Sequence, residues 1–189
     1  QTGAACDIII PRMAMVTMGK LLKAAKATGP VNVYGSPERI VFAFGAVVYT
    51  TRTIEGTFPN VNPVIPKDWV HRVMIDAEAF AAALQIIAAM STNKIKPVKL
   101  TMGGDAHGAG MLLESERSVF GQAVDAVPVE YGGVGMEIGF NARYLLDALK
   151  ALDVRTITIT TEGGLHPVRV ESPDDPEFLA VIMPLRLEW

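Results

Sequence analysis

The sequence predicts an α+β fold assembled from repeated β-α-β-β-β units. Three observations predict it. One apolar spacing recurs in three candidate helices, each helix follows a short apolar run, and each is followed by three strand-like segments.

Met15, Met18, Leu22 and Ala25 fall at i, i+3, i+7 and i+10 in the first helix. Ala77, Phe80, Leu84 and Ile87 repeat the spacing in the second, and Ala142, Leu145, Leu149 and Leu152 in the third. Four side chains on one face is the pattern of a helix lying on a sheet. Counted from Met15, Ala77 and Ala142, the repeats are 62 and 65 residues apart. The preceding runs are Ile8–Ile10, Val73–Ile75 and Met136–Phe140. Asp76 and Asn141 are N-cap residues, because their side-chain oxygens accept the unpaired N–H groups of a first turn. The first helix has no polar cap, and Gly29-Pro30 marks its end.

Strand-like sequence rich in Val, Ile, Thr and Tyr follows each helix. The first unit offers Val31–Tyr34, Ile40–Phe44 and Val47–Ile54. The second has Val98–Met102, Met111–Glu114 and Ala123–Tyr131; the third has Thr156–Thr160, Val168–Glu171 and Leu179–Leu187.

Of the 189 residues half are apolar and a fifth charged, an ordinary globular composition that excludes disorder. The apolar runs are too short for a membrane span and nothing resembles a secretory leader, so a soluble cytoplasmic protein is expected. A single cysteine, Cys6, excludes an intrachain disulfide framework and fits a reducing compartment. His71, His107 and His166 stand in no metal-ligand spacing and read as surface or turn residues. Gly103–Gly110 is followed by strand-like Met111-Leu112-Leu113 rather than a helix, so it reads as a hairpin turn and not a phosphate loop. Asp174-Asp175 between two prolines reads as a solvated turn. No catalytic constellation, metal or cofactor is implied.

The charge distribution says more than the net −3. Residues 8–37 carry Arg12, Lys20, Lys23 and Lys26 and no acid, a local +4 that leaves −7 for the remainder. Lys20, Lys23 and Lys26 recur every three residues and so occupy one broad helix face, either a solvated surface or one that meets phosphates. Arg143 and Lys150 share a face of the third helix two turns apart, with Asp147 between them.

Four motifs carry a family resemblance. They are Ile9-Ile10-Pro11-Arg12, the string Arg52–Asn60, Met136–Asn141 continuing through Tyr144–Asp147, and Val181–Leu187. In this order, and over nearly the whole chain, they resemble the bacterial DNA polymerase III β sliding clamps. The resemblance implies the DNA clamp fold, a ring of twelve such units with helices inside and antiparallel sheets outside. Such a ring encircles duplex DNA and tethers DNA polymerase, clamp loader and repair polymerases without chemistry of its own. It maps residues 1–66 onto the second half of the middle domain and 67–189 onto the C-terminal domain, as units 67–131 and 132–189.

By the same resemblance, a pocket for linear peptide motifs uses Pro59, Val64, Asn141, Tyr144, Leu165 and Pro167. The C-terminal strand adds Val181, Ile182, Met183, Pro184, Leu185 and Arg186. Arg12, Lys20, Lys23, Lys26, Arg143 and Lys150 face DNA, and Ala89 and Met90 match apolar ring-interface positions. Departures from the family are Pro63 and Met13 where basic residues are common, and an acidic run reduced to Asp125. Glu188-Trp189 extends past the usual end, within reach of the pocket mouth. Three units per chain would complete a twelve-unit ring as four chains, a homo-oligomer. The alternatives are a stand-alone clamp-like module that binds peptides without encircling DNA, and a small enzyme with an unrecognised site.

Overall fold

The computed structural model describes residues 7–103, 110–119 and 121–189. Cys6, His107 and the core of the expected glycine turn lie outside the described residues. The chain divides into two compact units, 1–60 and 61–189.

The first unit contains α1 (Arg12–Ala24), β1 (Asn32–Gly35), β2 (Arg39–Phe44) and β3 (Val47–Arg52), the strands forming one antiparallel sheet in the order β1-β2-β3. Its core cluster is Met18, Ile40, Phe42 and Phe44. The expected strand at Ile8–Ile10 is reduced to a single antiparallel bridge, Ile9 to Ile54. The apolar stripe of α1 is also rephased: Ala14 and Met18 are buried, whereas Met15 is exposed and Ala25 lies beyond the helix. The helix ends before Gly29. Lys26 takes a left-handed φ of 48°, its N–H reaches the Lys23 carbonyl, and the Ala27 N–H reaches that of Leu22. This is a Schellman stop with lysine at the position glycine usually holds. Lys26 therefore leaves the helical row of Lys20 and Lys23.

The second unit opens with a short 3-10 turn, Asn62–Val64. It continues β4 (His71–Asp76), α2 (Ala77–Met90), β5 (Pro97–Met102), β6 (Gly110–Ser115), β7 (Val124–Glu130). The second repeat is β8 (Met136–Asn141), α3 (Ala142–Leu152), β9 (Thr156–Thr161), β10 (Val168–Ser172) and β11 (Asp175–Ile182). Asp76 Oδ1 accepts the Ala79 N–H at 2.9 Å, and Asn141 Oδ1 accepts the Arg143 N–H at 3.0 Å, so both caps form as expected. Asp174 lies in the turn before β11 and accepts the Thr156 N–H, while Asp175 begins the strand.

The eight strands run β11-β10-β9-β4-β7-β6-β5-β8. Each repeat lends its first strand to the other. β4 pairs with β9 along its whole length, and β8 pairs with β5 in the same way. The expected C-terminal strand 179–187 stops at Ile182, because Pro184 has no N–H to donate. One further contact, Leu185 N–H to the Gly139 carbonyl at 2.8 Å, joins the two ends of the sheet. Phe80, Leu84, Ile87, Leu145 and Leu152 from the helices pack onto Val73, Leu100, Phe140 and Ile159 from the strands.

The helices begin at Arg12, Ala77 and Ala142, a spacing of 65 residues both times. The bridge residues Ile9, Met74 and Gly139 keep the same spacing, facing Ile54, Glu130 and Leu185. The repeat is thus more regular than the apolar stripes suggested.

Candidate peptide groove and cationic helix

Gly139 decides the shape of the surface near the C-terminus. A Cβ there would stand 2.4 Å from Leu187 Cγ and 2.8 Å from the Leu185 carbonyl oxygen, so only glycine admits the tail this close. Beside it lies a shallow groove of about 260 Å³ lined by Glu137, Ile138, Gly139, Gly164, Leu165, Leu185, Arg186 and Leu187. Three expected residues, Leu165, Leu185 and Arg186, meet here. Leu165 is carried on a tight turn in which Gly163 and Gly164 take φ of 90° and 61°. Missed in the sequence were Glu137, Ile138, Gly139, Gly164 and Leu187. The available signal was a glycine inside a strand pattern, which marks close approach by another segment.

The other expected residues are not part of this lining. Ile182 is packed in the core, since successive strand side chains point to opposite faces, and is not available to a ligand. Met183 is exposed, Val181 and Pro184 half-buried. Asn141 is buried and its Oδ1 is committed to capping α3. Tyr144 stands exposed on the first turn of α3, Val64 is exposed on the 3-10 turn, and Pro167 is half-buried before β10. Pro59 belongs to the first unit.

The tail does not end at the groove. Trp189 lies over Lys99 on β5, with Nζ 5.7 Å from the ring centroid. Lys99 also pairs with Glu114 across the strand at 2.7 Å. That hydrogen bond raises the lysine pKa, against partial burial, which lowers it. Trp189 is therefore an anchor on the sheet rather than part of the groove wall.

Arg12, Lys20 and Lys23 are exposed on α1, which carries no acidic residue. Arg143 and Lys150 are exposed on α3, but their surroundings are mixed. Lys150 shares the cleft between α2 and α3 with Glu78, Asp147 and Asp153. Ala89 and Met90 are exposed at the end of α2. Asp125 is half-buried, its carboxylate accepting the Ala126 N–H. His71, expected at the surface, is buried: Nδ1 lies 2.5 Å from Tyr131 Oη. His166 is exposed, 3.2 Å from Glu162. Among the described residues no helix is long and apolar enough to cross a membrane.

Residues 62–186 match the model of the DNA polymerase III beta subunit, C-terminal domain. The chain belongs to that family, the β sliding clamps. It is 34% identical over 180 residues to the beta sliding clamp of Caulobacter vibrioides, covering 95% of this chain and 47% of that protein. With the Synechococcus elongatus clamp it shares 28% over 181 residues, 95% of this chain and 48% of that one. Among solved structures, the C. crescentus clamp, described with PEG bound at a proposed β-motif tethering region, superposes with a TM-score of 0.88 at 33% identity. That match covers 98% of this chain and 48% of the other. The Bartonella birtlesii DnaN clamp bound to griselimycin gives 0.85 at 30% identity, over 95% and 47% of the two chains. The chain spans about half the length of the curated relatives it matches.

Proposed function

We propose that this chain is part of a sliding clamp, a processivity factor that encircles duplex DNA and tethers polymerases and other replication or repair proteins. The observation that carries this reading is the 65-residue repeat of β-α-β-β-β units, shared with clamp relatives along nearly the whole chain. It acts as a scaffold without catalysis of its own, in the cytoplasm where replication proceeds. Arg12, Lys20 and Lys23 supply loose phosphate contacts that are independent of sequence, and α3 contributes less because acids offset Arg143 and Lys150. Partner peptides lay apolar side chains against Leu165, Met183 and Leu185, with Arg186 and Tyr144 at the rim. The exposed methionine suits such a surface because its side chain adapts to varied partners. Ala89 and Met90 serve a ring interface.

The mixed charge of the α2–α3 cleft favours a second reading, a peptide-binding module that does not encircle DNA. Retention on closed circular DNA, abolished when the circle is cut, is the result expected for the clamp. Equal retention on linear DNA, or none on either, leaves the module. A fluorescent clamp-motif peptide tests the groove separately, since both readings require it to bind.

A further inference from the structure

One row of residues across the sheet fixes where the tail runs. Gly139 on β8 stands directly opposite Lys99 on β5, and Lys99 directly opposite Glu114 on β6. Residues opposite one another share a face of a sheet. Their chain neighbours Val98, Leu100, Leu113 and Phe140 fill the core, so this row lies on the side away from the helices. The tail follows it. The Leu185 N–H donates to the Gly139 carbonyl, Leu187 fills the space where Gly139 has no Cβ, and the Trp189 ring lies over the Lys99 ammonium.

One wall of the groove is strung between two fixings. Leu185, Arg186 and Leu187 line it together with Leu165. Among the described residues, 186–189 join no strand or bridge, so past Leu185 no ladder holds the backbone. The second fixing is the indole on the ammonium. Lys99 is prepared for it: Glu114 holds the ammonium at 2.7 Å, and each side chain is only 19% exposed. A cation that is already fixed and partly desolvated attracts a ring face more strongly than a hydrated one, and tryptophan is the best aromatic partner.

We infer that Trp189 and Lys99 are positioning residues for the groove: their contact holds Arg186 and Leu187 as a formed wall, which a bound peptide need not order. Neither residue lines the groove itself. A wall that is already formed raises affinity, because ordering a frayed segment would subtract from it. The effect on peptides rests on the proposed role of the groove, whereas the anchoring of the tail does not.

The test reads the 189-residue chain in two ways, by affinity for a fluorescent clamp-motif peptide and by hydrogen exchange at the Leu185 N–H. Trp189→Leu keeps an apolar side chain without the ring, and Lys99→Met keeps the stem without the charge. Each is expected to weaken the peptide about two- to fivefold, the factor that a partly exposed cation–π contact represents, and to speed the amide by a similar factor. Because the two groups act as one contact, the double variant should be no weaker than the weaker single variant. Trp189→Phe and Lys99→Arg, which keep a ring and a cation, should restore most of both readouts. Losses that add in the double variant, no recovery in the conservative ones, or unchanged exchange in Trp189→Leu would overturn the inference. A peptide that fails to bind the unaltered chain would refute the groove reading, and the anchor would then stand or fall on the exchange results alone.

Discussion

His71 Nδ1 lies 2.5 Å from Tyr131 Oη, and the same hydroxyl donates to the Val134 carbonyl at 2.6 Å. The phenol has one proton and gives it to the carbonyl, so the histidine must be the donor in the first bond. The pair ties β4 to the end of β7. Around it, Gly103 and Gly133 leave no space for a Cβ beside the tyrosine ring.

Tyr131→Phe keeps the ring and removes this relay. It leaves a buried N–H and a carbonyl without their partner, at a cost of about 1–3 kcal/mol. The urea midpoint of the second unit is expected to fall accordingly. An unchanged midpoint would mean that water replaces the hydroxyl at no cost.

Alkaline pH is expected to weaken the same unit. Burial raises the Tyr131 pKa above 10.0, and the Glu114 hydrogen bond raises that of Lys99 above 10.5. Both groups hold their protons more tightly folded than unfolded. Their stabilisation is complete below the unfolded values and is lost as pH climbs through the raised folded ones. Denaturation midpoints across this range should therefore be level with respect to these groups below about pH 9 and decline above about pH 10.

Gly139→Ala inserts a methyl into the space that Leu187 fills. Overpacking of this kind costs about 1–3 kcal/mol, and here the tail can leave instead of the sheet distorting. Faster hydrogen exchange at the Leu185 N–H is the expected signature. Retained protection of that amide would show that the tail adapts.

The DNA reading separates α1 from α3. Replacing Lys20 and Lys23 by Glu should weaken the salt-sensitive part of DNA binding. The logarithmic salt slope should fall by about 0.9 for every phosphate the helix ceases to neutralise. Lys150→Glu should change retention little, since Glu78, Asp147 and Asp153 already surround it. Equal effects from the two helices would contradict the assignment.

Met183→Ala should weaken a bound clamp-motif peptide by roughly tenfold, the worth of one partly buried methionine. Leucine at that position should restore most of the affinity. Affinity indifferent to both changes would move the peptide site away from the segment that follows β11.

The second and third helices were legible because a polar cap, Asp76 or Asn141, precedes each. Pro11 hid the start of α1, and Met13, Met15, Val16, Met18, Leu21 and Leu22 surround that helix so widely that the period could not choose a face. Its stop was misread because Lys26 adopts a backbone conformation normally signalled by glycine. The C-terminal apolar run looked like one strand, yet alternation sends Ile182 into the core and Pro184 ends the ladder. The groove was only partly visible because it depends on Gly139, whose role is the space it leaves empty.

The tail also gives the molecule a built-in optical probe. Both tryptophans, Trp69 and Trp189, belong to the second unit, while the first has only tyrosine chromophores, Tyr34 and Tyr49. Indole emission therefore follows the closed eight-stranded unit alone. Trp189, seated over an ammonium group, should change its signal when the last residues detach. Trp69→Phe leaves that single reporter, so undocking of the tail can be timed optically without any added label.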